Sequence, residues 1–202
     1  DDMPLQNRVI PTGEIVTDKE RGAWTGNRGI LSFDADGRLG LARWTHKAWI
    51  ICSLTHPRGR YHGPRPSRGW TPLFFLDEAV ALAAGHRPCA FCRRDSYAAF
   101  KTASGNIRHD EIDRRLHAAR CTRRREKVTV RAEAGTLPDG AFIYWQDEPW
   151  LVRGPRIYRF TTAGYDGNQP RPQRIVTVLT PAPTIVALVT GYRPEIHESA
   201  FS

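Results

Sequence analysis

Along the chain, the spacing of apolar positions changes character near residue 126. Before that point, two stretches read as short strands broken by turns: RVIPTGEIVTD (8–18) and GILSFDADGRLGLARWTHKAWIICSLTH (29–56), with Asp36-Gly37 as a hairpin turn. Between them GAWTGNRG (22–29) reads as a glycine-punctuated loop, and YHGPRPSRGWTP (61–72) as a Pro/Gly/Arg loop. LDEAVALAAG then predicts a helix, with Asp77 and Glu78 in its first turn and Gly85 as its stop. Further helices are expected over 94–103 and 109–121. After residue 126 the segments KVTVRAEA, AFIYWQ, PWLVRG, RIYRFTT and QRIVTVLTP are rich in β-branched and aromatic residues, with LPDG and RGPR as turns. A last helix follows over 182–191.

These elements predict an α+β protein: residues 1–125 as an N-terminal domain of helices and a small antiparallel sheet, and residues 126–202 as a small β-rich domain with a C-terminal helix. One echo crosses the boundary. VALAAGHRP (80–88) and VALVTGYRP (186–194) share a helix, a glycine, an aromatic ring and Arg-Pro, a pattern that reads either as a degenerate duplication or as two helices with the same C-terminal stop.

Composition narrows the class. With 40% hydrophobic and 25% charged residues among 202, the chain has the make-up of a globular protein with a proper core. No run approaches the ~18 apolar residues of a membrane span, and no signal peptide opens the chain, so the cytoplasm is the expected location. Charge changes the picture more. The formal net charge is +9, and it is clustered: from Gly37 to Leu76 there is no acidic residue, while Arg38, Arg43, Lys47, Arg58, Arg60, Arg65 and Arg68 all fall there. Trp44, Trp49, Tyr61 and Trp70 are interleaved with them. Guanidinium groups take phosphates and rings stack on bases, so the pattern points to nucleic acid, DNA first. Arg93 and Arg94 extend that surface, and RRLHAARCTRRREK (114–127) is a second basic run. The blander reading is a solvated face that binds nothing specific.

Four cysteines supply the candidate chemistry: Cys52, Cys89, Cys92 and Cys121. In a reducing compartment they are thiols or metal ligands. A redox pair wants Cys-x-x-Cys at a helix start after a strand, whereas HRPCAFC follows a helix. Zinc takes four tetrahedral ligands, usually as two closely spaced pairs. Cys89-x-x-Cys92 is one pair; Cys52-x-x-x-His56 offers the other. Spacing alone does not separate His56 from His62, His86 or His117 as fourth ligand, and Cys52, in the apolar WIICSL, also suits a plain core position.

The stretch LFFLDEAVALAAGHRPCAFCRR (73–94) resembles the second half of the Ada-type metal-binding domain, and Cys52-x-x-x-His56 falls where that family carries its first ligand pair. The resemblance covers residues 40–95. It departs at His56, in a longer loop between the pairs, and in lacking a following helix-turn-helix or methyltransferase domain. It implies a zinc ion that stabilises a DNA-phosphate-binding module in repair, defence or regulation, with Cys52 at the position of the family's methyl-accepting thiolate.

Catalysis has thinner support. RHDEID places His109 and Asp113 one helical turn apart, the one dense acidic cluster beside basic residues and a candidate hydrolytic pair. Acidic residues at a helix start are more simply dipole partners. No Walker motif or dinucleotide fingerprint is present. The two readings carried forward are a zinc-binding, nucleic-acid-binding protein and a nucleic-acid-acting enzyme, using Cys52 as methyl acceptor or His109 and Asp113 as a metal-dependent nuclease.

Overall fold

The computed structural model describes residues 3–56, 59–60 and 70–202, with only the backbone of Thr55, His56, Gly59 and Arg60. In chain order the elements are β1 (Gln6–Val9), β2 (Ile15–Thr17), β3 (Trp24–Asn27), β4 (Ile50–Ser53), β5 (Thr55–His56), β6 (Gly59–Arg60), β7 (Leu73–Phe75), α1 (Glu78–Ala83), β8 (Arg87–Pro88), α2 (Arg94–Ala103) and α3 (His109–Arg120). There follow β9 (Val130–Glu133), β10 (Phe142–Trp145), β11 (Glu148–Arg153), β12 (Arg156–Thr161), β13 (Gly164–Pro170), β14 (Ile175–Val178) and α4 (Ala182–Thr190). Two six-stranded sheets result, ordered β2-β1-β7-β3-β4-β8 and β13-β12-β11-β10-β14-β9. The protein is therefore α+β with a β-rich C-terminal part. The N-terminal sheet is mixed, not purely antiparallel: β7 lies parallel to β1, and β8 parallel to β4.

The segment expected to be a glycine loop is instead a strand inside this sheet. β3 pairs with both β4 and β7, and Gly26 makes that possible. A Cβ there would stand 2.1 Å from the Ile50 carbonyl oxygen and 2.8 Å from the Phe75 ring, so the backbones meet only because the side chain is missing. Conversely, most of the strand expected over 29–49 is irregular. It keeps one bridge, Phe33 to Leu39, around the Asp34–Gly37 turn that the sequence does announce.

The four expected helices form close to their expected bounds. Asp77 caps α1, its Oδ1 accepting from the Val80 amide at 2.9 Å. Gly85, at φ 100°, ends it: the Gly85 and His86 amides donate back to Leu82 and Ala81, the paired bonds of a Schellman stop. α4 ends the same way, with Gly191 and Tyr192 donating to Leu188 and Ala187. The sequence echo thus encodes one helix stop used twice. Its surroundings differ, since Arg87-Pro88 forms β8 whereas Arg193-Pro194 joins no strand.

In the second half the antiparallel meander includes β13, GYDGNQP, which is too polar and glycine-rich to read as a strand. The turn from β10 to β11 puts Gln146 and Asp147 both at positive φ, 50° and 61°, matching the twist of a tight hairpin.

α1 is where the two halves meet. Every one of its six residues is buried. Ala81 and Leu82 join one core cluster with Ile51, Leu73, Leu116 and Val178; Ala79, Val80 and Ala83 join another with Phe142, Leu151, Tyr158 and Tyr165. The change of sheet near residue 126 is therefore not a break in the core. Two buried carboxylates reinforce the junction. Asp77 Oδ2 accepts from the Tyr165 hydroxyl at 2.7 Å and the His197 amide at 3.0 Å. Glu78 takes both terminal nitrogens of Arg93 at 3.1 Å, the Glu195 amide at 2.9 Å and the Tyr192 hydroxyl.

Because removing one partner of a buried pair strands the other charge, Glu78→Ala is expected to cost roughly 3–5 kcal/mol. Glu78→Leu combined with Arg93→Met is expected to recover part of that loss. Denaturant midpoints of the three proteins check it.

Candidate metal centre

The parallel pairing of β4 with β8 builds the site. Ile50 is opposite Arg87, Ile51 is opposite Pro88, and the Cys89 amide donates to the Ile51 carbonyl at 3.0 Å. Cys52, the next residue of β4, therefore sits beside Cys89 as the chain leaves β8. A turn of three residues then swings Cys92 back toward the same point, before α2 begins at Arg94. The Sγ atoms of Cys52, Cys89 and Cys92 lie within 4.8 Å of one another, close enough to hold one metal ion.

The donor set fits a thiophilic metal. Tetrahedral ligands at a Zn–S distance of about 2.3 Å stand about 3.8 Å apart, inside the observed limit. Backbone amides are already aimed at the sulfurs, Phe91 N to Cys89 Sγ at 3.4 Å and Ser53 N to Cys92. Such bonds stabilise thiolates, as a metal ligand requires. The sulfurs also bias one another. Hydrogen bonds to Cys89 and Cys92, with burial, push the Cys52 thiol far up, while Cys52 and Cys92 hydrogen-bond to Cys89 and pull it well down.

The fourth ligand remains open at His56, whose backbone lies in β5 just past Cys52 and whose side chain is outside the described residues; His62 also lies outside them. Two alternatives are removed. His86 is wholly buried, with Nδ1 on the Ile50 carbonyl at 3.1 Å and Nε2 accepting from Arg28. His117 Nδ1 meets Arg120 Nη2 at 2.8 Å. Neither joins the cysteine cluster, and nor does Cys121, which lies at a separate cavity lined by Arg28 and Arg120.

The other singled-out residues fall in different places. Arg58, Tyr61, Arg65 and Arg68 lie outside the described residues, and Arg60 is described by its backbone alone. Trp70 and Arg94 are exposed. Arg93 is a correction: it turns inward, 8% exposed, into the Glu78 pair and against Trp24, and is not on a surface that could touch nucleic acid. Asp113 is a second one. Its carboxylate is held by Arg87 Nε and Nη2 at 2.7 and 2.8 Å in a buried ion pair that ties β8 to α3. His109 stays exposed at the start of the helix, so the two form no hydrolytic site.

With the geometry in hand, comparison with known proteins gives no family: no protein-family profile, curated protein or solved structure matches the chain. A three-cysteine cluster occurs in many folds and does not by itself identify an Ada-type domain. No described helix is long and apolar enough to cross a membrane.

The expected stoichiometry is one thiophilic ion per chain, lost in Cys52→Ser, Cys89→Ser or Cys92→Ser and retained in Cys121→Ser. Elemental analysis of chelator-free preparations checks it. Protons compete for thiolates, so the ion is expected to be released on acidification, with the folded N-terminal sheet weakening in step.

Proposed function

We propose that this protein is a zinc-stabilised, nucleic-acid-binding protein, with DNA as its partner. Zinc is the ion favoured by three thiolates and a histidine in a closed site, and the Ada-type resemblance of residues 40–95 gives the same reading. The metal's role is structural. It fastens β4 to the turn after β8 and so pins both ends of the chain between the two ligand pairs, which carries the later part of the acid-free stretch.

The observation that carries the nucleic-acid reading is a hydrogen bond between the two basic segments. Arg125 Nη1 donates to the Leu41 carbonyl, seating the run Arg123–Arg125 beside the acid-free stretch that begins at Gly37. Arg38, Lys47, Arg123, Arg124 and Arg125 are exposed, and we read them as parts of one cationic face. A clustered face of this kind supports phosphate binding better than scattered charge does. The enzymatic readings gain no such support: the hydrolytic pair is not assembled.

Binding of fluorescent duplex and single-stranded DNA is expected to weaken steeply with salt and to depend little on sequence. Each arginine that neutralises a phosphate adds about one to the salt slope. Replacing Arg123 and Arg124 by alanine is therefore expected to lower that slope by about two, and replacing Arg58, Arg60 and Arg65 together by up to about three. Absence of binding at low salt refutes the proposal. If only one variant set changes the slope, that set marks the DNA-binding surface.

A further inference from the structure

Four arginines are buried among the described residues: Arg28, Arg87, Arg93 and Arg120. Two are matched with carboxylates, Arg87 with Asp113 and Arg93 with Glu78. The other two are not, and they sit together. Arg28 gives Nε to His86 Nε2 at 3.0 Å and Nη2 to the Gly13 carbonyl at 2.9 Å. Arg120 gives Nη1 to the Gly85 carbonyl at 3.1 Å and Nη2 to the Lys47 carbonyl and His117 Nδ1, both at 2.8 Å. Its Nε is buried without a partner. Both guanidinium carbons lie on the indole of Trp49, at 3.8 and 3.6 Å from its centroid. None of these partners carries negative charge. Gly85 belongs to the arrangement too: a Cβ there would come within 2.5 Å of the Arg120 side chain, so the glycine that ends α1 also admits the arginine.

A cavity of about 320 Å³ opens onto this pair. Arg28, Arg120, Arg43 and Arg125 are among the residues that line it, together with Trp44 and Trp49. One carboxylate, Glu14, reaches it; that group is exposed and takes its bond from Thr12 Oγ1. Cys121 is the other acid at the site. Burial and the nearness of Arg120 pull Arg28 down to about 9, and burial does the same to Arg120. Lys127, its Nζ on the Ala83 carbonyl at 2.6 Å, is pulled by burial and by Arg28 to about 7. Buried cations are ordinarily paired, and an uncompensated cluster of this kind is costly unless an anion completes it.

We propose that this cavity is a binding site for a phosphate monoester. Four guanidiniums lining one cavity ask for more than the single charge of a carboxylate or an internal phosphodiester, and a monoester brings nearly two together with several acceptor oxygens. The Nε of Arg120, buried without a hydrogen-bond partner, supplies a donor already desolvated. The volume is at the small end of ligand pockets and suits a phosphate with a modest organic group against Trp44. The site is separate from the metal centre and stands whether or not the exposed basic face binds DNA.

The test is calorimetry and thermal unfolding of the full chain with inorganic phosphate and adenosine 5′-monophosphate, against adenosine and against chloride at equal ionic strength. Both phosphates are expected to bind and to raise the midpoint by several degrees, while adenosine and chloride do not. Arg120→Met is expected to abolish the effect. Arg43→Ala with Arg125→Asn, both at the cavity's outer lining and the second choice compatible with the positive φ of Arg125, is expected to weaken binding at least tenfold. This second variant carries the test should Arg120→Met fail to fold. Single-stranded oligonucleotides with a 5′-phosphate or a 5′-hydroxyl separate the sources. A gain confined to the phosphorylated strand supports the site and assigns it to a nucleic-acid end, and binding of the mononucleotide without that gain supports it and assigns a free metabolite. No phosphate-specific binding by the wild type, or undiminished binding by both variants, overturns the proposal.

Discussion

The short parallel pairing of β4 with β8 is the constraint on which both chemical features of the molecule depend. Two residues face two residues, which is little backbone pairing for the work it does. At one end it sets Cys52 against Cys89, and the turn that follows returns Cys92 to the same point. At the other end it places Trp49 beside His86, the aromatic and imidazole surfaces against which Arg28 is held. A metal bridging the two strands would supply cohesion that so few hydrogen bonds cannot, a common use of thiolate sites in small sheets.

Behind that pair, α1 acts as the shared support. It is short and wholly buried, and its stability comes from packing between two sheets and not from helix propensity. Its N-terminus carries two carboxylates, each bonded to groups more than 80 residues away in sequence, at Tyr165, Tyr192, Glu195 and His197. Its C-terminus delivers Gly85, His86 and Arg87 to the cavity and to β8. The helix thereby transmits the position of the C-terminal sheet to the residues around the cysteine cluster.

The treatment of buried charge separates structure from chemistry within one molecule. Arg87 and Arg93 have full carboxylate partners and act as joints, one fastening β8 to α3 and the other α1 to the start of α2. Arg28 and Arg120 are equally buried and have only neutral partners. A fold seldom spends two desolvated charges without return, and such uncompensated groups gather where a ligand completes them.

Local pattern determined much of this on its own. Helical periodicity and glycine stops are written within a few residues, so α1 to α4 were legible, as was the alternation of β9 to β12 and β14. The Cys-x-x-Cys turn was legible for the same reason, since its geometry is local. Other features depended on tertiary structure. Gly26 reads as a turn until the neighbouring Ile50 backbone shows why a strand there must lack a side chain. β13 is polar along its length and becomes a strand because β12 supplies its hydrogen bonds. Arg93 and Arg28 look alike in sequence, each a cation in a basic protein. Whether such a residue is a buried joint, a solvent-facing group or an unmatched charge over a cavity depends on what folding brings opposite it, and here Glu78, 15 residues away, decides for one and His86, 58 residues away, for the other.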